Sequence, residues 1–167
     1  MIEQIVFNRN NMDYTATLKL PDGKCARIIF CRNIGSVPRL KYHGWIYSVG
    51  LAIGKKKDIM NWFESAAYNT LTDLPTFSKY GASVLYWAKR AIEQFIEEMK
   101  EIHSQFCLSI SGEDRRRQRV YERYYLKNNY IKCRINYGGE FRGYIQEPFC
   151  LDDALVYYYN GKMRNEI

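Results

Sequence analysis

The segment 106–130 constrains the fold of this chain more than any other. The apolar run 106–110 predicts a buried strand that stops at Ser111-Gly112, and the acidic pair Glu113-Asp114 then marks the start of a helix. The helix is expected to end near Asn128-Asn129, because Asn tolerates left-handed backbone better than most residues. A further strand follows, so the succession strand, helix, strand predicts an α/β protein.

The helix of this segment also has a purely structural interpretation. Its apolar face is narrow, and arginines lie largely around it. The apolar face consists of Val120, Tyr121 and Tyr124, and the basic residues are Arg115, Arg116, Arg119 and Arg123. Such a pattern is typical of an amphipathic surface helix with a solvated basic face.

Length and composition predict one domain, 1–167. A chain of 167 residues, 47% of them hydrophobic and 26% charged, is an ordinary globular sequence. A chain of this size buries about 70% of the surface of its unfolded form. The first residues lack a secretory pattern, and no apolar stretch approaches the roughly 20 residues that span a bilayer. We therefore expect a cytoplasmic protein without a membrane partner.

The cysteines do not form a recognisable metal or disulfide pattern. The five are widely spaced, none forms a Cys-x-x-Cys pair, and only His43 and His103 could supply imidazole ligands. We expect reduced thiols and no metal. Cys107 and Cys133 could be proposed as nucleophiles, but neither has a histidine at a recognised spacing, which favours inert thiols on buried strands.

The net charge of +7 is concentrated in one segment. Residues 24–57 contain eight Lys or Arg residues and no Asp or Glu. Such a field favours an anionic partner. A phosphate-bearing cofactor, an acidic protein and a nucleic acid all remain possible at this point.

The N-terminal half predicts mainly strands. Residues 5–7 and 14–20 have strand patterns, Pro21-Asp22-Gly23 is a turn signal, and 25–31 returns as the second strand of a hairpin. We expect a loop through 33–38 and another strand at 44–53.

The remaining chain predicts two more helices and a second hairpin. Asp58 caps a helix through Ala67, residues 70–77 are extended, and a long amphipathic helix begins at Leu85. Residues 130–137 and 140–145 form a hairpin about Gly138-Gly139. Residues 152–159 fit a short helix or a strand, and 162–167 are expected to be a flexible tail. The elements predict a single mixed, mostly antiparallel sheet flanked by helices.

Two motifs and their order resemble the GNAT family of N-acetyltransferases. In that family a loop before a long helix reads Arg or Gln, two residues, Gly, one residue, then Gly or Ala. Here Gly81 matches the first Gly, whereas Ser78 and Ser83 depart from the pattern. Loop, long helix, strand, tyrosine helix and final strands follow in the family's order from about residue 70 to 146. The N-terminal hairpin differs, because the family has two helices after its first strand.

The resemblance implies an acyl-CoA N-acyltransferase-like fold, acetyl-CoA as a substrate and an amine acceptor. The implied pyrophosphate-binding residues are Ser78, Lys79, Tyr80, Gly81, Ala82 and Ser83. Tyr121 would be the general acid at the thiolate, and Glu64 and Asp73 are candidate bases by their place in the order. The alternative is a non-catalytic basic module that binds nucleic acid or an acidic protein through its cations and aromatic residues.

Overall fold

The computed structural model describes residues 4–10, 13–57, 59, 80–111, 115–126, 128–136 and 154–161. Seven strands in these residues form one mixed sheet, in the order β1-β2-β3-β4-β5-β7-β6. The strands are β1 Asn8–Asn10, β2 Asp13–Lys19, β3 Cys25–Val37, β4 Tyr42–Gly54, β5 Gln105–Ile110, β6 Ile131–Cys133 and β7 Ala154–Asn160, and the helices are α1 Gly81–Ile102 and α2 Arg115–Tyr125. The predicted α/β class is confirmed.

The hairpin of β2 and β3 follows the prediction at its turn. Gly23 adopts a φ of +82°, its N–H donates to the Leu20 carbonyl at 3.1 Å, and the Asp22 carboxylate accepts from the Lys24 N–H at 3.1 Å. Asp and Gly supply the local hydrogen bond and the left-handed backbone that a tight turn requires.

The prediction of a loop at 33–38 is wrong. β3 continues to Val37, and only a 3-10 turn at Pro38–Leu40, followed by left-handed Lys41, separates it from β4. Tertiary pairing overrides the weak strand preference of Asn33, Gly35 and Ser36.

The strand predicted at 5–7 is also displaced. The first strand is β1 Asn8–Asn10. The backbone at Ile5 bonds instead to a side chain, because its N–H donates to Gln94 Oε1 at 3.0 Å and its carbonyl accepts from Gln94 Nε2.

The pair β4–β5 is parallel, with Ile46 opposite Cys107 and Val49 opposite Ile110, whereas β1–β2, β5–β7 and β6–β7 are antiparallel. A parallel pair needs a crossover connection, and this one contains α1. Within the segment predicted as a short helix or a strand, the described residues belong to strand β7 Ala154–Asn160, which hydrogen-bonds to neighbours on both sides.

Helix α1 begins at Gly81, four residues before the predicted start at Leu85. Its buried face confirms the amphipathic pattern and consists of Val84, Trp87, Ala88, Ala91, Ile92, Phe95, Ile96 and Met99. Most of the helix predicted after Asp58, together with the segment 70–77, the second strand of the 130–145 hairpin and the tail 162–167, lies outside the described residues. The first turn after β4 is helical, and Ile59 N–H donates to the Lys55 carbonyl at 3.1 Å.

The chain divides into two compact units, and the expectation of a single domain stays a prediction. Unit 1 comprises 1–30 and 50–98, and unit 2 comprises 31–49 and 99–167. In unit 1, the rings of Phe30 and Phe95 stack with centroids 3.9 Å apart, and Phe7 packs edge-on against both. A second cluster in this unit consists of Cys25, Ala52 and Ile59.

In unit 2 the sheet curls so that the end of β3 meets the residues just beyond β6. Ser36 near the end of β3 exchanges backbone hydrogen bonds of 2.7 and 2.8 Å with Asn136, just beyond β6, and Arg39 Nη1 donates to the Lys132 carbonyl at 2.8 Å. The concave face holds the buried cluster of Val37, Tyr42, Ile46, Cys107, Cys133, Ala154 and Val156. This closure gives unit 2 a core of its own.

Candidate functional site

The described part of the proposed phosphate-binding loop is the start of α1. The N–H of Val84 donates to the Tyr80 carbonyl at 3.0 Å, so the N–H groups ahead of it have no acceptor within the helix. Ala82 and Ser83 are exposed, and the first turn contains no acidic residue. Among the residues that the structure describes, these features leave backbone donors and the positive end of the helix dipole available to an anion.

Gly81 is not required by its own backbone. Its φ is not among the positive values, and a Cβ built at this position meets no described atom within 4 Å. Neither conformation nor packing in the described residues therefore demands glycine here. Close approach of a ligand to the backbone would be a separate reason for a residue without a side chain.

The other residues of the implied site are only partly described. Ser78 and Lys79 of the loop and the candidate bases Glu64 and Asp73 lie outside the described residues.

Tyr121 lies on α2 in unit 2 and is half-buried. Its ring centroid is 6.5 Å from that of Tyr125, which in turn lies 5.5 Å from Tyr130, and Tyr130 lies 5.6 Å from Tyr157. Tyr125 and Tyr130 in the middle of this row are buried, whereas Tyr121 and Tyr157 at its ends are half-buried. These ring contacts are consistent with a packing role for Tyr121, and the Tyr121 ring is still partly exposed to solvent.

Helix α2 is held on unit 2 by polar contacts as well as by aromatic packing. Lys132 Nζ lies 3.1 Å from Glu122 Oε1, and Gln118 Nε2 donates to the same oxygen at 3.3 Å. The hydrogen bond from Lys132 is the main cause that lowers the pKa of Glu122. The end of the helix follows the prediction, because Asn129 adopts a φ of +67°.

The two thiols that could have been proposed as nucleophiles lie in the core of unit 2. Cys107 and Cys133 are free and buried, and burial raises the pKa of Cys107 to about 12. A thiol with so high a pKa carries almost no thiolate at neutral pH, which is the form that attacks or binds metal. The prediction of buried strand thiols is confirmed for both residues.

A pair formed by a buried tyrosine and a half-buried histidine was not predicted from the sequence. Tyr47 on β4 is 1% exposed, and its hydroxyl lies 2.8 Å from Nε2 of His103, just after α1. Burial and the nearby charge of Arg32 lower the pKa of His103. The neutral imidazole is thus the form that fits unit 2, and no spacing rule connects residues so far apart in the sequence.

Two further contacts lie on the opposite side of the β3–β4 hairpin from the buried cluster of unit 2. Ser36 Oγ and His43 Nδ1 are 2.7 Å apart, and Arg32 Cζ lies 4.2 Å from the centroid of a Trp45 ring. Because a loop was predicted at 33–38, neither contact was predicted from the sequence. A continuous strand would have predicted them, because alternate residues of a strand share one face.

No family model matches this chain, and no curated protein or solved structure matches it either. No group of three or more His, Cys, Asp or Glu residues in the described ranges is placed to hold a metal ion. None of the described helices is both long and apolar enough to cross a membrane.

Proposed function

We propose that the protein is an acetyl-CoA-dependent N-acetyltransferase with a GNAT-like fold. The observation that carries the proposal is the parallel pair β4–β5, whose crossover contains α1 and its start at Gly81. The elements after it, β5, α2 with Tyr121 and β6, follow the order that the resemblance implies. In open sheets with parallel strands, ligands bind beyond the carboxyl ends of those strands.

The residues at the start of α1 fit a pyrophosphate. The N–H groups of Gly81, Ala82 and Ser83 would bind its oxygens, and the absence of a side chain at Gly81 would let them approach the backbone. The Ser83 hydroxyl is exposed and adds a donor. Acetyl-CoA would supply the thioester whose acetyl group is transferred.

Tyr121 would hold a proton at its phenolic oxygen for the departing thiolate. In the transfer a nitrogen–carbon bond would form, the carbon–sulfur bond would break with Tyr121 protonating the thiolate, and the amine would give its proton to a base, for which Glu64 and Asp73 are the candidates. Tyr121 is half-buried, and its ring lies 6.5 Å from that of buried Tyr125 on the same helix, so packing would restrict its position. A fixed ring is what a proton donor needs.

Calorimetric titration with acetyl-CoA and with CoA tests the proposal, and we expect saturable binding of both. Tyr121→Phe should lower turnover about 100-fold or more with little change in cofactor affinity, because it removes only the transferable proton. Tyr124→Phe is the matched control, since Tyr124 lies on the same helix and is 48% exposed. Absence of coenzyme binding by the unsubstituted protein would refute the proposal, and equal turnover of both variants would refute the role of Tyr121.

A further inference from the structure

The β3–β4 hairpin of unit 2 carries cations that have no acidic partner among the described residues. Arg32, Arg39 and Lys41 belong to a segment without any Asp or Glu. The recorded contacts of Arg32 and Arg39 are with the Trp45 ring and the Lys132 carbonyl, and neither involves a carboxylate. Lys132 differs, because Glu122 neutralises it at 3.1 Å.

One face of this hairpin combines these charges with accessible apolar and hydrogen-bonding groups. We call it the hairpin surface, formed by Arg32, Ile34, Ser36, His43 and Trp45. The contacts Arg32–Trp45 and Ser36–His43 place four of these residues on one face, and Ile34 lies between Arg32 and Ser36 by strand alternation. The neighbouring residues Val37, Tyr42 and Ile46 point into the buried cluster on the other face.

The hairpin surface is open to solvent. Ile34 is 50% exposed and His43 is exposed, whereas Trp45 and Arg32 are half-buried. At the tip, Arg39 and Lys41 are exposed as well. The hairpin surface therefore presents the Ile34 side chain and part of the Trp45 indole to solvent next to the charge of Arg32.

Arg32 has an unsatisfied donor at the same place. Its Nε atom is buried and has no hydrogen-bond partner among the described residues. The guanidinium is charged and has no acidic partner among the described residues, so it contributes to the positive potential of the surface.

We propose that the hairpin surface binds a short stretch of single-stranded nucleic acid. Bases would stack at the Trp45 indole and contact Ile34, while phosphates would pair with Arg39 and Lys41 at the tip. This site goes beyond acetyl transfer and stands independently of it, because all of its residues lie in β3, β4 and the turn between them.

Nucleic acid fits this surface better than an acidic peptide does. Carboxylates would form ion pairs with the cations but would gain no affinity from the accessible indole beside Ile34. Bases, in contrast, gain affinity by stacking on an aromatic side chain. Strand residues rise about 3.3 Å each, so the distance from Trp45 to Lys41 is about 13 Å. That length corresponds to a few nucleotides, near the lower end of the roughly 4 to 16 that small single-strand binding folds cover.

The test is fluorescence anisotropy of a labelled oligothymidylate of about 12 nucleotides with the full-length protein. With two phosphate contacts, at Arg39 and Lys41, log affinity should fall with log salt at a slope of about −1.4. Trp45→Leu should weaken binding about 10- to 100-fold with an unchanged slope, because stacking involves no released counterion. Arg39→Gln combined with Lys41→Asn should flatten the slope by about 1.4.

The controls separate this site from general attraction by a basic protein. Arg119→Gln combined with Arg123→Gln removes the same charge from exposed positions on α2 and should leave binding within about twofold. Lys41→Asn alone fits the left-handed backbone at φ +50° and leaves the Arg39 hydrogen bond in place, so its loss of affinity cannot be ascribed to unfolding.

Three results would overturn the proposal. The first is no oligonucleotide binding at low salt, and the second is an equal loss from the α2 control. The third is full competition by an oligoglutamate peptide combined with no effect of Trp45→Leu, which would make the surface an interface for acidic proteins.

Discussion

Substituting Gly81 by Asp should change stability and cofactor binding in opposite directions. A carboxylate in the first turn interacts favourably with the helix dipole, which is worth about 0.3–1 kcal/mol. No described atom lies within 4 Å of the new Cβ, so steric strain should not cancel this gain. The same charge would repel a bound pyrophosphate. Two unit charges about 4 Å apart at an effective dielectric constant of about 20 interact by about 4 kcal/mol, which corresponds to roughly a 1000-fold loss of affinity.

The assay combines thermal unfolding with calorimetric titration of acetyl-CoA. Gly81→Asn is the matched control, because it has nearly the same size without the charge, and Gly81→Ala tests the effect of a Cβ alone. We expect Asp to raise the melting temperature and abolish measurable binding, and Ala to retain most of it. If Gly81→Asp is more stable yet binds acetyl-CoA with unchanged affinity, the assignment of the phosphate-binding loop is wrong. If Gly81→Asp melts at a lower temperature than the unsubstituted protein, the inference that this position has space for a side chain is wrong.

Three further expectations concern unit 2. Because the folded-state pKa of His103 is lowered, the unfolded chain takes up the proton more readily, so the free energy of unfolding should fall as pH drops below the ordinary pKa of 6.5. Denaturant titrations across that range check this, and His103→Gln should remove part of the dependence; an identical pH profile in that variant would contradict it. Gly44→Ala should cost roughly 1–3 kcal/mol, since the Cβ would lie 2.8 Å from the Tyr42 hydroxyl and the backbone φ is +153°. A calorimetric melt no lower than that of the unsubstituted protein would show that Tyr42 can move aside. Cys107 should resist alkylation until unfolding, because it is buried and its pKa is about 12; rapid modification in native buffer would show that the cluster opens.

Local patterns predicted the elements whose signals lie within a few residues. The turn at Gly23, strand β5, the amphipathic face of α1 and the left-handed end at Asn129 all follow from side-chain chemistry near the residue concerned. Each of these features depends on backbone conformation or on burial of one face. Sequence alone suffices for them.

Features that depend on distant pairing were missed. Asn33, Gly35 and Ser36 have turn-forming preferences, yet β3 passes through them because its partners fix an extended backbone. Tyr47 and His103 are brought together by the parallel pairing of β4 and β5. The displacement of the first strand has a similar origin, since the Gln94 side chain takes the hydrogen bonds of Ile5.

The functional residues likewise include some that the sequence identified and some that only the structure revealed. Sequence reasoning identified the start of α1 and Tyr121 from motif resemblance, and the described residues supply open backbone donors for one and an aromatic row for the other. The hairpin surface needed the actual strand register, because Arg32 and Trp45 lie far enough apart that no motif joins them.

The position of β7 has a consequence for synthesis of the chain. β7 is the last of the described strands to be made, yet it lies between β5 and β6 and hydrogen-bonds to both. Until it emerges from the ribosome, both neighbours expose unpaired backbone groups, and the thiols and aliphatic side chains that they later bury remain accessible. Nascent chains should therefore depend on chaperones that shield strand edges, and premature termination before Ala154 should yield products that aggregate rather than fold.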